Sequence, residues 1–222
     1  ALLCDTAHHT LILDRSQTEQ LLYQTASAYR TGINDILLSA LALMLHDWCG
    51  QNTHLIDLES HGRADLDPGI DLSRTLGWFT SLYSVALTLP DQPSDLAAVI
   101  RSIKEQLRQV PHEGIGYGLR QQQGEALPGG QILFNYLGQF DQTTDTQSGF
   151  QLATESTGHS TSLTGSRTHR IEINGQTAQG QLSLTFSYSQ QHYRARTIQQ
   201  LAASYQHHLQ QLIAHCQTHY GY

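Results

Sequence analysis

The segment from Ile33 to Trp48 constrains the fold most, because it is apolar on nearly every side of the helix that it predicts. Its apolar residues fill consecutive turns: Ile36, Leu37, Leu38, Ala40, Leu41, Leu43, Met44 and Leu45. A helix that is hydrophobic all round is buried inside a larger body. Gly50 follows it, and glycine is typical of a helix C-terminus. The chain therefore has to fold into a body that can bury a whole helix.

The composition supports such a body and excludes several classes of partner. Of the 222 residues, 39% are hydrophobic and 14% are charged, which is enough apolar material for a core in one or two domains. The formal net charge is −7 and no basic run is present, so neither nucleic acid nor an anionic membrane is an expected partner. The sequence has no secretory signal and no apolar run long enough to span a bilayer.

The cysteines indicate a reducing compartment. Cys4, Cys49 and Cys216 are odd in number and lack the spacing of a metal site. Cys49 and Cys216 are predicted on apolar helix faces, where they would be packing thiols. We therefore expect reduced cysteines, a cytoplasmic protein and no metal.

Alternating segments predict strands around the buried helix. The clearest runs from Leu182 to Tyr188, and others run from His8 to Leu13 and onward from His169. A strand from Ile132 to Leu137 has two apolar faces and is predicted to be central in its sheet. Asn174-Gly175 is the stronger local signal for a hairpin, and Gln179-Gly180 is the alternative.

Three amphipathic helices are predicted besides the buried one. A capping box at residues 16–19 opens a helix whose shared face is Leu22, Ala26 and Tyr29. A second helix starts at Pro93-Ser94, and Pro111 ends it. A capping box at residues 197–200 opens the last one. Its apolar face is Ile198, Leu201, Ala202, Tyr205, Leu209, Leu212, Ile213 and Cys216.

Because strands and helices do not alternate as regular βαβ units, we expect an α+β fold, a mixed sheet with helices packed on it. Residues 1–7 are interpreted as a connector, and residues 1–222 otherwise as a single domain. The glycines of 114–118 predict a turn, 142–149 a polar loop, and 158–166 a segment that is mobile or reaches over a partner.

Glu59 is the main candidate functional residue. Ile56 and Leu58 alternate with Asp57 and Glu59, so Glu59 lies where a strand ends and a polar turn begins. Loops at strand ends carry function more often than the elements that they join. From the local sequence alone, a solvated surface acid is the commoner alternative.

Four motifs in a fixed order resemble the epimerization domains of nonribosomal peptide synthetases, which belong to the condensation-domain superfamily. Residues 59–64 (ESHGRA) are close to the family's EGHGRE, and residues 74–84 (RTLGWFTSLYS) are close to RTVGWFTxxYP. Residues 114–118 (GIGYG) match GxGYG, and residues 134–141 (FNYLGQFD) match the family's motif at every position. Each motif is weak alone, and together they extend the resemblance over about residues 16–216.

The resemblance implies a chloramphenicol-acetyltransferase-like subdomain, two of which form a V around an active-site tunnel. The family's HHxxxDG motif is absent: neither His8-His9 nor His207-His208 is followed by Asp-Gly at that spacing. We therefore expect this chain to be the C-terminal half of an epimerization domain. Its expected partners are the N-terminal half that carries HHxxxDG and a peptidyl carrier protein.

The implied reaction inverts L to D at the α-carbon of an aminoacyl or peptidyl thioester on the carrier's phosphopantetheine arm, without a metal or diffusible cofactor. Such a reaction needs an acid/base group on each side of the α-carbon and donors for the enolate oxygen. Glu59 matches the family's acid/base carboxylate, and Asn135 and Tyr136 match residues near the reacting centre. Because neighbours on a strand point to opposite faces, either a bulge re-aims one of these two or only one reaches the substrate.

Other residues of the motifs are candidates for substrate binding, namely His61, Arg74 and Trp78. His61 and Arg63 could orient Glu59 or line the tunnel, or they could instead hold a structural turn. Arg74 could form a surface salt bridge, and Trp78 could be part of the core or the tunnel wall. Two other functions remain open: the same half of a peptide-bond-forming condensation domain, or a non-catalytic module that docks a carrier protein.

Overall fold

The computed structural model describes residues 1–63, 69, 71–72, 74–140, 158 and 161–218. The strands are β1 (Thr6–Ile12), β2 (Thr53–Ser60), β3 (Ser81–Thr88), β4 (Ile132–Gln139), β5 (Ile171–Ala178) and β6 (Gln181–Ser189). The helices are α1 (Arg15–Glu19), α2 (Thr25–Tyr29), α3 (Ile33–Cys49), α4 (Leu96–Arg108), α5 (Ile115–Gln122) and α6 (Ala195–Thr218).

The strands form one six-stranded sheet in the order β1-β6-β5-β4-β2-β3. Strand β4 runs parallel to its neighbours β2 and β5, and the other pairs are antiparallel. This mixed sheet with helices packed on it confirms the predicted α+β class, and β4 is central as predicted.

Alternate residues of the strands face the helices in a single apolar cluster. Helix α3 lies inside it, with every residue from Ile36 to Leu45 buried, and ends at Gly50 with φ +70° as predicted. The predicted apolar face of α6 is buried at all eight positions. The opposite face of the sheet carries mostly polar side chains, and this face leads to the candidate site.

The hairpin between β5 and β6 turns at Gln179-Gly180, whose φ angles are +53° and +73°. Two consecutive left-handed residues are what a two-residue hairpin turn of type I′ needs. The stronger local signal, Asn174-Gly175, was wrong, because both residues lie inside β5, and the alternative, Gln179-Gly180, is confirmed.

Several helix boundaries and faces differ from the predictions. Asp14 rather than Ser16 caps α1, accepting a hydrogen bond from the backbone of Gln17. The buried residues of this region are Thr18, Leu21, Thr25 and Ala28. A π-helical turn at Gln20–Gln24 rotates the face away from the predicted Leu22 and Ala26. Asp95 caps α4, and α6 begins two residues before Thr197.

Residues 114–118 are helical apart from their start, so the predicted turn was wrong. Gly114 has φ +78°, and α5 begins directly after it. Thr6 and Ala7, expected at the end of the connector, already pair with β6. Residues 142–149 lie outside the described residues, as do 159–160 of the segment 158–166.

The cysteines are free thiols, of which Cys216 is buried and Cys49 is exposed. The predicted packing role of Cys49 was wrong, because the last turn of α3 leaves the apolar cluster. Across the described residues, no helix is both long enough and apolar enough to cross a membrane.

Candidate functional site

A cavity of about 720 Å³ lies at the carboxyl ends of β2 and β4. These parallel strands pair Leu58 with Phe134, so the next residues along them, Glu59 and Asn135, lie side by side. Helices α3 and α4 and the loop before β3 supply the remaining walls. Its lining includes Asn34, Asp35, Leu38, Leu58, Glu59, His61, Trp78, Tyr83, Leu107, Glu113, Phe134, Asn135 and Tyr136.

The Glu59 carboxylate lies in this cavity and is half-buried. Its Oε2 accepts a hydrogen bond of 2.7 Å from Asn135 Nδ2. Burial raises the pKa of Glu59 above its ordinary value, and the Glu172 carboxylate adds to this. The charge of His169 and the Asn135 hydrogen bond act in the opposite direction. The strand end therefore holds a carboxyl that takes up a proton more readily than a solvated one.

Asn135 and Tyr136 follow the strand alternation. The Tyr136 hydroxyl is 3.0 Å from Thr177 Oγ1, away from the Glu59–Asn135 pair. The register of β4 against β5 shifts only after Tyr136, so no bulge re-aims either residue. Burial raises the pKa of Tyr136, so the phenol stays protonated near neutral pH. Both residues line the cavity, and of the two only Asn135 bonds Glu59.

His61 lies on the cavity wall at the start of the polar turn. Its Nδ1 accepts the backbone N–H of Arg63 at 2.9 Å, and its Nε2 is 3.5 Å from the Glu113 carboxylate. Ser60, which replaces the usual glycine of the family's motif, donates to the same carboxylate at 2.9 Å. His61 therefore both stabilises the turn and faces the cavity.

Arg63 clamps part of the loop before β3. Its guanidinium donates to the backbone carbonyls of Leu72, Thr75 and Gly77 at 2.5, 2.9 and 3.3 Å. The same group stacks 4.5 Å from the centre of the Phe79 ring. An arginine with several backbone acceptors is a structural clamp, which was one of the two roles expected for it.

The other two candidate binding residues lie on the clamped loop. Trp78 lines the cavity, and 90% of its surface is exposed. Arg74 is exposed as well, and it lies outside the described residues that line this cavity. The structure therefore brings together Glu59, Asn135, Tyr136, His61 and Trp78, and places Arg74 apart from them.

A buried pair next to Glu59 was not predicted. Asp57 and His169 are each only 7% exposed, and His169 Nε2 is 2.8 Å from Asp57 Oδ2. Asp57 also accepts hydrogen bonds from Ser84 Oγ and the Gly130 N–H. A carboxylate in the middle of a strand was the available signal, but a partner 112 residues away cannot be read from periodicity. The pair joins β2, β3 and the start of β5 beneath the site.

No cluster of His, Cys, Asp or Glu in the described part of the chain could hold a metal ion. The chemistry that these residues can carry out themselves is proton transfer at Glu59 and hydrogen-bond donation from Asn135.

Comparison with known proteins gives relatives over nearly the whole chain. Chondramide synthase of Chondromyces crocatus is 43% identical over 212 residues, covering 93% of this chain and 5% of that protein. Bacitracin synthase 3 of Bacillus licheniformis is 40% identical over 213 residues, covering 92% of this chain and 3% of the synthase. Gramicidin S synthase 1 of Brevibacillus brevis is 40% identical over 216 residues, covering 90% of this chain and 20% of that protein. The chain thus spans a small part of each of these synthases.

Among solved structures, the epimerization domain from the third module of tyrocidine synthetase B superposes with a TM-score of 0.91 at 35% identity. The match covers 98% of this chain and 50% of that one. The first condensation domain of the CDA synthetase shares the fold, with a TM-score of 0.61 at 16% identity over 97% of this chain and 46% of that one. Residues 4–221 match the condensation-domain family, so the chain belongs to the condensation-domain family of nonribosomal peptide synthetases.

Proposed function

We propose that this chain is the C-terminal half of an epimerization domain, which inverts L to D at the α-carbon of an aminoacyl or peptidyl thioester. The substrate would be carried on the phosphopantetheine arm of a carrier protein. The observation that carries the proposal is the half-buried Glu59 carboxylate, held by Asn135 in a cavity of about 720 Å³. The likeness to a solved epimerization domain at 35% identity supports it.

Glu59 would exchange the α-proton on one side of the substrate. Its raised pKa brings the carboxyl closer to neutral pH, where one group can both take up and return a proton. Asn135 Nδ2 carries two N–H bonds and uses one on Glu59, which leaves the other for the enolate oxygen. The opposite acid/base group would be the histidine of the HHxxxDG motif in the N-terminal half.

The test of this proposal is to add the N-terminal half to the chain. The chain alone should not invert a carrier-bound aminoacyl or peptidyl thioester, because one side of the α-carbon lacks an acid/base group. Adding the N-terminal half, in one polypeptide or as a second chain, should restore inversion. In the restored domain, Glu59→Gln should lower the inversion rate by about 10²–10⁴-fold, because the amide cannot take the proton. The assay combines exchange of an α-deuterium with chiral analysis of the released product.

Glu105→Gln is the matched control, since this exposed acid lies on α4 and pairs with Arg108 instead. Near-normal inversion by the Glu59→Gln variant would remove Glu59 from the mechanism. Peptide-bond formation with a second carrier-bound amino acid, in the absence of inversion, would assign the condensation reaction. Carrier binding without either reaction would assign a docking module.

A further inference from the structure

A row of polar side chains crosses the sheet from the candidate site on the face opposite the helices. Asn135 lies beside Glu59, and the strand registers then pair Asn135 with Asn174, Asn174 with Thr185, and Thr185 with Thr10. Laterally paired residues share a face, so these five side chains lie in one line. The hydroxyls of Thr185 and Thr10 are 2.9 Å apart. The site is therefore continuous with a polar track along the sheet.

Asn174 is the member of this row that the fold does not explain. Asparagine and glycine are both depleted in strands, yet Asn174 and Gly175 lie in the middle of β5. Packing accounts for Gly175, because a Cβ there would lie 2.9 Å from Leu184 Cδ2 and 3.3 Å from Tyr136 Cδ2. At position 174, no hydrogen bond to a described residue requires an amide. Residues that oppose their local structure are expected at functional or strained positions.

The hydrogen bonds of the two paired asparagines differ. Asn135 donates to Glu59, whereas the half-buried Asn174 side chain has no hydrogen bond to a described residue. Adjacent strands lie about 4.8 Å apart, so the Asn174 side chain lies within reach of a group bound at Glu59 and Asn135. The N–H groups of a carboxamide can donate a hydrogen bond to the carbonyl oxygen of a peptide amide. A free amine offers it only donors.

We propose that Asn174 is a substrate-binding residue that hydrogen bonds the amide group preceding the inverted residue, so that the site prefers peptidyl to aminoacyl thioesters. This inference rests on the proposed function. It is a claim about selectivity, so it can fail while inversion itself is retained.

The test uses the domain completed with its N-terminal half and two carrier-bound substrates, an aminoacyl thioester and the matching dipeptidyl thioester. Wild type should invert the dipeptidyl substrate faster. Asn174→Leu, which keeps the size and removes the hydrogen-bond donor, should lower dipeptidyl inversion by about 10-fold and leave aminoacyl inversion within about 2-fold. Gln176→Leu is the matched control, since Gln176 is exposed two residues further along the same face.

Asn174→Asp is a second variant that keeps an acceptor and loses the donors. It should lower the inversion rate of the dipeptidyl substrate. It should raise that of the aminoacyl substrate, because the carboxylate attracts its ammonium group, so the preference reverses. Equal losses on both substrates, or weaker association of the two halves without a change in selectivity, would overturn the role of Asn174 and make it structural. Absence of inversion in the wild type would instead defeat the proposed function itself.

Discussion

Burial and the hydrogen bond from Asn135 have opposite effects on the pKa of Glu59. Burial disfavours the charged form and raises the pKa, whereas the amide of Asn135 donates to the carboxylate and lowers it. The same contact can therefore position the group and set the pH range in which it exchanges protons. Tyr136, the next residue, takes no part in this balance, because its hydroxyl bonds Thr177.

Asn135→Ala should move the pH profile of inversion to higher pH in the completed domain. Removing a donor from the carboxylate takes away an effect that lowers the pKa of Glu59, so whichever limb of the profile reports this carboxyl shifts upward. Its rate should also fall more than its carrier affinity, because an enolate donor acts mainly in the transition state. The measurement is the inversion rate against pH at saturating carrier.

Tyr136→Phe provides the comparison for this shift. It removes only the hydrogen bond to Thr177, so the limb of the pH profile that reports Glu59 should not move and the inversion rate should change little. A profile that moves with Tyr136→Phe and stays put with Asn135→Ala would contradict the assignment of Asn135 as the partner of Glu59.

At the scale of elements, hydrophobic periodicity predicted the helices and strands in which an apolar pattern repeats regularly. Helices α3 and α6 and strand β6 were predicted well, because each has an apolar pattern that agrees with its burial. The sequence failed where a distant contact decides the local structure. Gly175 lies inside β5, where an added Cβ would meet Leu184 and Tyr136, and no local rule contains these contacts.

The residues of the candidate site also fall into those that local sequence predicted and those that depend on distant contacts. Glu59 at a strand end and its neighbour Asn135 were predicted from motif and alternation, and the structure brings them together. The Asp57–His169 pair was missed, since it joins residues far apart in the chain. The separation of Arg74 from the cavity was also not predictable, because the path of its loop depends on the three carbonyls that Arg63 binds.

Helix α5 gives a prediction from its glycines. Gly116 is helical with no atom within 4 Å of an added Cβ, so Gly116→Ala should raise the free energy of unfolding of the 222-residue chain by about 0.5–1 kcal/mol. Gly114→Ala should lower it, because Gly114 has φ +78° and an added Cβ would overlap the Tyr83 ring. Urea denaturation followed by circular dichroism measures both. Destabilisation by Gly116→Ala would show that residues 115–118 form a turn.

At the scale of the whole molecule, exposed apolar side chains gather around the cavity. Trp78 and Leu137 both line it, with exposures of 90% and 53%, and Leu76 on the same loop is fully exposed. Clustered apolar side chains that are exposed to solvent are typical of surfaces that bind another protein or domain. A tunnel shared between two subdomains, as proposed, would cover these residues and dry the site, which would raise the pKa of Glu59 further.

Trp78 can report this covering directly. In a Trp48→Phe background, in which Trp78 is the remaining tryptophan, addition of the N-terminal half should move the fluorescence emission to shorter wavelength as the indole leaves water. The reciprocal Trp78→Phe chain retains Trp48, which is already partly covered by Tyr193, and should shift little. Titration with the carrier protein alone separates covering by the N-terminal half from docking of the carrier. If inversion is restored while the Trp78 emission stays that of a solvated indole, the loop held by Arg63 lies outside the tunnel, and Trp78 is not a substrate-binding residue.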